Sequence, residues 1–231
     1  LRCLVGSEMC IRDRKNPKAN IKPIVAHEDS DTYVLETEED KLFLVTNLNA
    51  PNKKLVTAYA NRPTPNYWRD VIPETEHVLS ISNGSNYFFA EYMIDALSKV
   101  FQYDYNGKLV REIKLPADGS AGGFSGKRDQ ETLYYSFSNY HTPSSSFALN
   151  PKTGETSQYW TPEIDFDAND FESKQVFYSS KDGTKVPMMI TYRKGLELTG
   201  YNPTILYGDG GFNISLKPSF SITTAVWLMQ G

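Results

Sequence analysis

Cysteine is nearly absent: the 231-residue chain holds two, Cys3 and Cys10, both within the first ten residues. A disulfide framework is thereby excluded for the remaining body, and a reducing compartment is compatible with that usage. Histidine is scarce as well. His27, His77 and His141 stand too far apart for metal-ligand spacing, so each is read as a surface residue, and neither metal nor cofactor is expected. There is no excess of positive charge, because 24 Lys and Arg face 28 Asp and Glu for a net charge of -4. Without a basic stripe, nucleic acid is not an expected partner. Long apolar runs are missing too. The longest, Tyr87 to Ala90 and Ala225 to Met229, fall far short of the eighteen or so residues a spanning helix needs, so no membrane partner is expected. No G-x-S-x-G occurs. The look-alike GGFSG at 122–126 has the wrong spacing, which leaves the chain without a nucleophile elbow.

The opening LRCLVGSEMCIRDR has no apolar core and is not a signal peptide. It resembles a translated sequencing adapter, so residues 1–14 are set aside as a non-native leader. What the rest has in plenty is aromatic side chains, 13% of residues with 15 tyrosines, which favours β structure. Three apolar strands repeat: KLFLVTN at 41–47, NYFFAEYM at 86–93 and TLYYSFSN at 132–139. Aligned on one another, they place Phe43, Phe88 and Tyr134 at intervals of 45 and 46 residues. Each is followed by a second strand, at 54–60, 99–105 and 145–150. The latter two then lead through turns, YNGK and NPKTGE, into a further strand. A four-stranded antiparallel unit repeating at this period is the pattern of a β-propeller blade, with a β-sandwich as the alternative. Three blades cannot close a ring.

After Trp160 the repeat stops. SKQVFYSS and KVPMMITYRK predict two strands joined by a Lys-Asp-Gly turn at 181–183, followed by a polar loop and a short strand over Thr204 to Tyr207. The predicted domains are a partial propeller over 15–163 and a second domain over 164–231. Asp165, Asp167 and Asn169 match the start of a calcium loop, but Asp170 stands where glycine is required and Val176 where glutamate is, so this is a solvated linker. The stretch ILYGDGGFNIS at 205–215 runs an apolar strand into three glycines around one acid, Asp209. It fails as a phosphate loop, having Asn213 where a last glycine would be and no Lys-Ser or Lys-Thr after it.

YSSKDGTKVPMMITYRKG followed by NPTILYGDGGFNISLKPSFS resembles the start of the catalytic domain of prolyl oligopeptidases. These are proline-specific serine peptidases with an α/β-hydrolase domain capped by a propeller. TNLNAPNKKL, WRDVIPE and GGFSGKRDQETLYYSF resemble the later blades of that family's propeller. The resemblance covers roughly residues 15–231. It implies a mainly β fragment, the last three blades of a seven-bladed propeller followed by the start of an α/β-hydrolase domain. Relatives that cut after basic residues usually carry Ser-Tyr where this chain has Gly211-Phe212, which favours the proline-specific branch.

The implied chemistry is an acyl-enzyme route, with a serine activated by a histidine and an oxyanion hole for the tetrahedral intermediate. The family's triad lies beyond the last residue here, so the fragment itself is expected to be inactive. Implied partners are short proline-containing peptides, and the full-length protein is expected to be a monomer. The cytoplasm is the expected location, with the periplasm or secretion left open. Phe212 matches the phenylalanine lining the substrate pocket. Asp209 matches the tyrosine of the family's YGYGGF, whose hydroxyl donates to the oxyanion. A carboxylate cannot donate there and repels developing negative charge. One base separates the two codons, so a misread codon and an inactive homologue both remain open, as does a non-catalytic propeller that binds a peptide or protein.

Overall fold

The computed structural model describes residues 9–11, 22–26, 30–209, 211 and 215–230. Three four-stranded antiparallel sheets follow one another along the chain. The first orders β3 (Thr32–Glu38), β4 (Lys41–Thr46), β5 (Lys54–Tyr59) and β6 (Arg69–Ile72). The second holds β7 (Leu79–Gly84), β8 (Tyr87–Ile94), β9 (Leu97–Asp104) and β10 (Leu109–Glu112), and the third β11 (Ser120–Gly123), β12 (Leu133–Ser138), β13 (Ser145–Leu149) and β14 (Thr156–Trp160). Each strand pairs with its sequence neighbour, as in a propeller blade. The strands read from the sequence are the second and third of each blade and the fourth of the second and third blades; β6, the fourth of the first, was not among them. The first strands, β3, β7 and β11, escaped the apolar pattern because their two or three apolar residues run into polar ones or, in SAGG, because they are nearly without side chains.

Burial explains why the central strands look as they do. β4 is buried along almost its whole length because both its faces are covered. Leu42 and Leu44 pack on Ile24 and Val25 of β2 (Lys22–Val25), whereas Phe43 and Val45 pack on Leu79, Phe88 and Ala90 of the second blade. In the second blade Phe88 faces back to the first, and Phe89 faces forward to Phe124, Leu133 and Tyr135 of the third. The true counterpart of Phe43 is therefore Phe89, not Phe88. A shift of one residue moves a strand side chain to the opposite face, and spacing alone cannot detect it. In β12 the alternation is strict: Leu133, Tyr135 and Phe137 are buried against the second blade, while Tyr134 on the other face is exposed.

Between blades the apolar layers are stapled by aromatic and polar contacts. The Phe88 ring stacks on Tyr105 at 4.4 Å and meets Phe43 edge-on at 4.9 Å. Arg128, from the third blade, donates to Thr37 O and lies 3.5 Å from both Glu36 and Glu38 of β3. Glu36 in turn accepts from Asn83 at 2.8 Å, so one carboxylate joins all three blades. Tight turns connect β7 to β8 and β8 to β9, with left-handed pairs at Ser85-Asn86 and Asp95-Ala96. Such pairs match strand twist, but without glycine they carried little signal in the sequence. Gly107 (φ 81°) does carry it: a Cβ there would sit 2.2 Å from Val71 O of the neighbouring blade.

Ahead of the blades, β1 (Met9–Ile11) pairs antiparallel with β2; the rest of the leader lies outside the described residues. Beyond them, β15 (Phe171–Ser179) and β16 (Lys185–Arg193) form a separate two-stranded sheet around the expected turn, where Gly183 takes φ 87°. The strand expected over 204–207 does not form. Among the described residues no neighbouring strand completes a ladder with them, and Leu206 is left 82% exposed. A helix, α1 (Ile222–Gln230), was not anticipated. Its traces in the sequence are Ser221 and the apolar run Ala225 to Met229, too short to span a membrane but long enough for a helical turn.

Candidate functional site

Gly208 and Asp209 follow an extended apolar run. Asp209 is exposed, and its Oδ1 accepts the Gly211 N–H at 3.1 Å, a local turn in which a short acidic side chain imitates backbone. The space beside Gly208 is open, since a Cβ there would meet nothing within 4 Å. Phe212 and Asn213 lie outside the described residues. Asp209 and Phe212 are therefore not seen together, and Asp209 makes no described hydrogen bond to the propeller.

A second constellation forms where the third blade meets β15 and β16. His141, in the β12–β13 loop, is half-buried rather than a surface residue, and its Nδ1 lies 2.8 Å from Ser173 Oγ of β15. Ser173 Oγ is also 2.8 Å from Thr191 Oγ1 of β16. Burial pushes the His141 pKa down, and the nearby Lys194 ammonium adds to that. Serine beside histidine is the pairing of a nucleophile and its base, yet no carboxylate among the described residues orients His141. Ser173 sits inside a strand ladder rather than on an exposed turn. The pair is a joint between elements, and sequence reading missed it because its members are brought together only by tertiary packing.

Apolar and polar contacts extend that joint. Phe166 stacks on Phe171 at 4.9 Å and tilts against Phe220 at 5.5 Å. The Phe220 N–H donates to Ser138 Oγ at 3.1 Å, and Gln175 Nε2 donates to Asp95 O at 2.6 Å. Glu91 of β8 accepts from Ser98 Oγ at 3.0 Å; burial raises its pKa, while Ser98 and Lys217 pull it back. Among the described residues no cluster of His, Cys, Asp and Glu could hold a metal ion. The calcium look-alike is a capped turn, with Asp167 accepting from Asn169 N at 2.9 Å. GGFSG is likewise structural: Gly123 and Phe124 adopt positive φ, and the Phe124 ring stacks on Tyr135 at 4.6 Å.

Three blades of this kind, followed by a non-repeating hairpin, narrow the comparison with known proteins. The family described as prolyl oligopeptidase, N-terminal beta-propeller domain, matches residues 3–162. The chain belongs to the prolyl oligopeptidase family. Prolyl endopeptidase of Elizabethkingia meningoseptica is 50% identical over 226 residues, 98% of this chain and 32% of its own length. Prolyl endopeptidase of Dictyostelium discoideum is 37% identical, with 85% of this chain and 27% of its own length covered. Among solved structures, prolyl oligopeptidase B from Galerina marginata in the apo form superposes with a TM-score of 0.84 at 28% identity, covering 96% of this chain and 33% of its own. Oligopeptidase B from Leishmania major, at 22% identity and a TM-score of 0.78, shares the fold. The chain thus spans about a third of the length of the prolyl oligopeptidase relatives it matches.

Proposed function

We propose that this chain is part of a serine-type oligopeptidase that cleaves short peptides on the carboxyl side of proline through an acyl-enzyme. In this reading residues 15–163 belong to the propeller that restricts access, and residues 164–231 begin the α/β-hydrolase domain. The observation that carries the reading is the pairing of a prolyl oligopeptidase propeller with a segment, 171–220, that leaves the blade repeat. A plain binding propeller has no use for that segment. Support also comes from Galerina marginata prolyl oligopeptidase B, whose structures hold hydrolysis and macrocyclization substrates. The 231 residues alone contain no G-x-S-x-G and are proposed to be inactive by themselves.

Phe212 is assigned to the substrate pocket and Asp209 to the position of the oxyanion donor. The local bond from Gly211 N–H to Asp209 fits a side chain too short to reach where a tyrosine hydroxyl would act. The test is the parent polypeptide assayed on a proline-containing reporter peptide, with Asp209 and with Asp209→Tyr. Restored turnover in the tyrosine form supports the assignment. Equal and high activity in both forms refutes the account of residue 209, and inactivity of both favours a non-catalytic homologue.

A further inference from the structure

We propose that Asn106 is a site of spontaneous covalent modification, where conversion to aspartate and isoaspartate loosens the joint between the first and second blades. The sequence holds two Asn-Gly pairs, Asn83-Gly84 and Asn106-Gly107. Glycine after asparagine favours cyclisation, because no side chain shields the nitrogen that must attack. The surroundings of the two pairs are opposite. Asn83 lies in β7, where its Nδ2 donates to Glu36 at 2.8 Å and its carbonyl accepts the Gly126 N–H at 3.1 Å. Gly84 is buried beside it, so tightly that an added Cβ would sit 2.8 Å from Gly126 N. Cyclisation there has to open the strand and leave its backbone groups unpaired.

Asn106 is exposed in the β9–β10 turn, and its side chain makes no hydrogen bond among the described residues. Asp104 holds the turn's backbone: its Oδ1 accepts the Asn106 and Lys108 N–H groups at 2.9 Å, and its carbonyl accepts the Gly107 N–H at 3.0 Å. The attacking nitrogen thus has a single bond to break, in a turn that solvent reaches. That exposure does not come from an open edge of the chain. The second blade is packed between the first and the third, and its contact with β15, at Asp95, lies at the other end of β9.

In the reaction the Gly107 nitrogen gives its proton to solvent hydroxide and bonds to Asn106 Cγ. Ammonia leaves with a proton from water, and a five-membered succinimide remains. Water then opens the ring, at the Cγ carbonyl to give aspartate or at the main-chain carbonyl to give isoaspartate, in which the chain runs through Cβ and Cγ. Either product adds a negative charge near Asp104, and isoaspartate also lengthens the backbone of the turn. The turn has no room for that, since even a Cβ on Gly107 would lie 2.2 Å from Val71 O of the first blade. Tyr105, beside the turn, stacks on Phe88 and lies 3.4 Å from Glu36 of β3, so a displaced turn pulls on the blade joint as well.

The test is the parent polypeptide aged at mildly alkaline pH, digested and mapped by mass spectrometry with fragmentation that tells isoaspartate from aspartate. The mass gain of exchanging ammonia for water should appear at Asn106 about tenfold or more faster than at Asn83, the factor that one or two net hydrogen bonds supply. In denaturant the two sites should convert at similar rates. Hydrogen exchange on the aged protein should show lost protection in β6 and the β9–β10 turn with β12 unchanged, and Asn106→Gln, whose longer side chain cyclises far more slowly, should abolish both effects. Equal rates at the two asparagines in the folded protein, or conversion at neither while the unfolded polypeptide converts, overturns the site. Conversion at Asn106 that leaves β6 protection unchanged overturns the loosening.

Discussion

At the residue scale the account turns on Asp209. The glycines and the lone acid were legible in the sequence because each is a local signal, and the bond from Gly211 N–H to the carboxylate is local as well. A single oxyanion donor is worth about 100- to 1,000-fold in turnover, so Asp209→Tyr in the parent polypeptide should raise kcat by about that factor with KM little changed. Phe212→Ala should instead lower kcat/KM by about 10-fold or more, as loss of an apolar pocket wall does, and steady-state kinetics separate the two effects. His141 was not legible. Nothing near it in sequence marks it out, and Ser173 reaches it only once the hairpin folds back onto the blade.

At the element scale the repeat was visible and the facing of its side chains was not. Period fixes where a central strand lies, whereas burial against particular neighbours fixes which way its residues look. The consequence is that Phe88 and Tyr134, aligned by spacing, differ in cost. Phe88→Ala removes a fully buried ring between two blades and should destabilise the first and second blades by about 3–5 kcal/mol, read as lost amide protection in β4 and β8. Tyr134→Ala, on a face of the third blade that stays exposed among the described residues, should change the same readout in the 231-residue chain by about 0.5 kcal/mol or less. Gly107→Ala tests the turn. Its positive φ and the Val71 carbonyl 2.2 Å from any added Cβ leave no room, so the β9–β10 turn should separate from the first blade and lose protection locally.

At the scale of the whole molecule, apolar side chains stay uncovered among the described residues. Tyr134, Tyr159 and Trp160 lie open on the third blade, and Leu206 and Tyr207 lie open ahead of Asp209, as does Trp227 on α1. Surface of this kind favours association. The 231-residue chain on its own should bind an apolar dye, melt broadly and self-associate as its concentration rises; a sharp melt of a monomer would count against this. The end of the blade repeat was legible because a different strand pattern begins there. The helix was not, because α1 is short and one serine, Ser221, ahead of its apolar run is a weak start signal. The most direct test of the central claim is to map by mass spectrometry the bonds cut in a mixture of short peptides by the parent polypeptide carrying Asp209→Tyr. The account predicts cleavage on the carboxyl side of proline, abolished by a serine-directed acylating inhibitor; cleavage after basic residues, or at no bond at all, would contradict it.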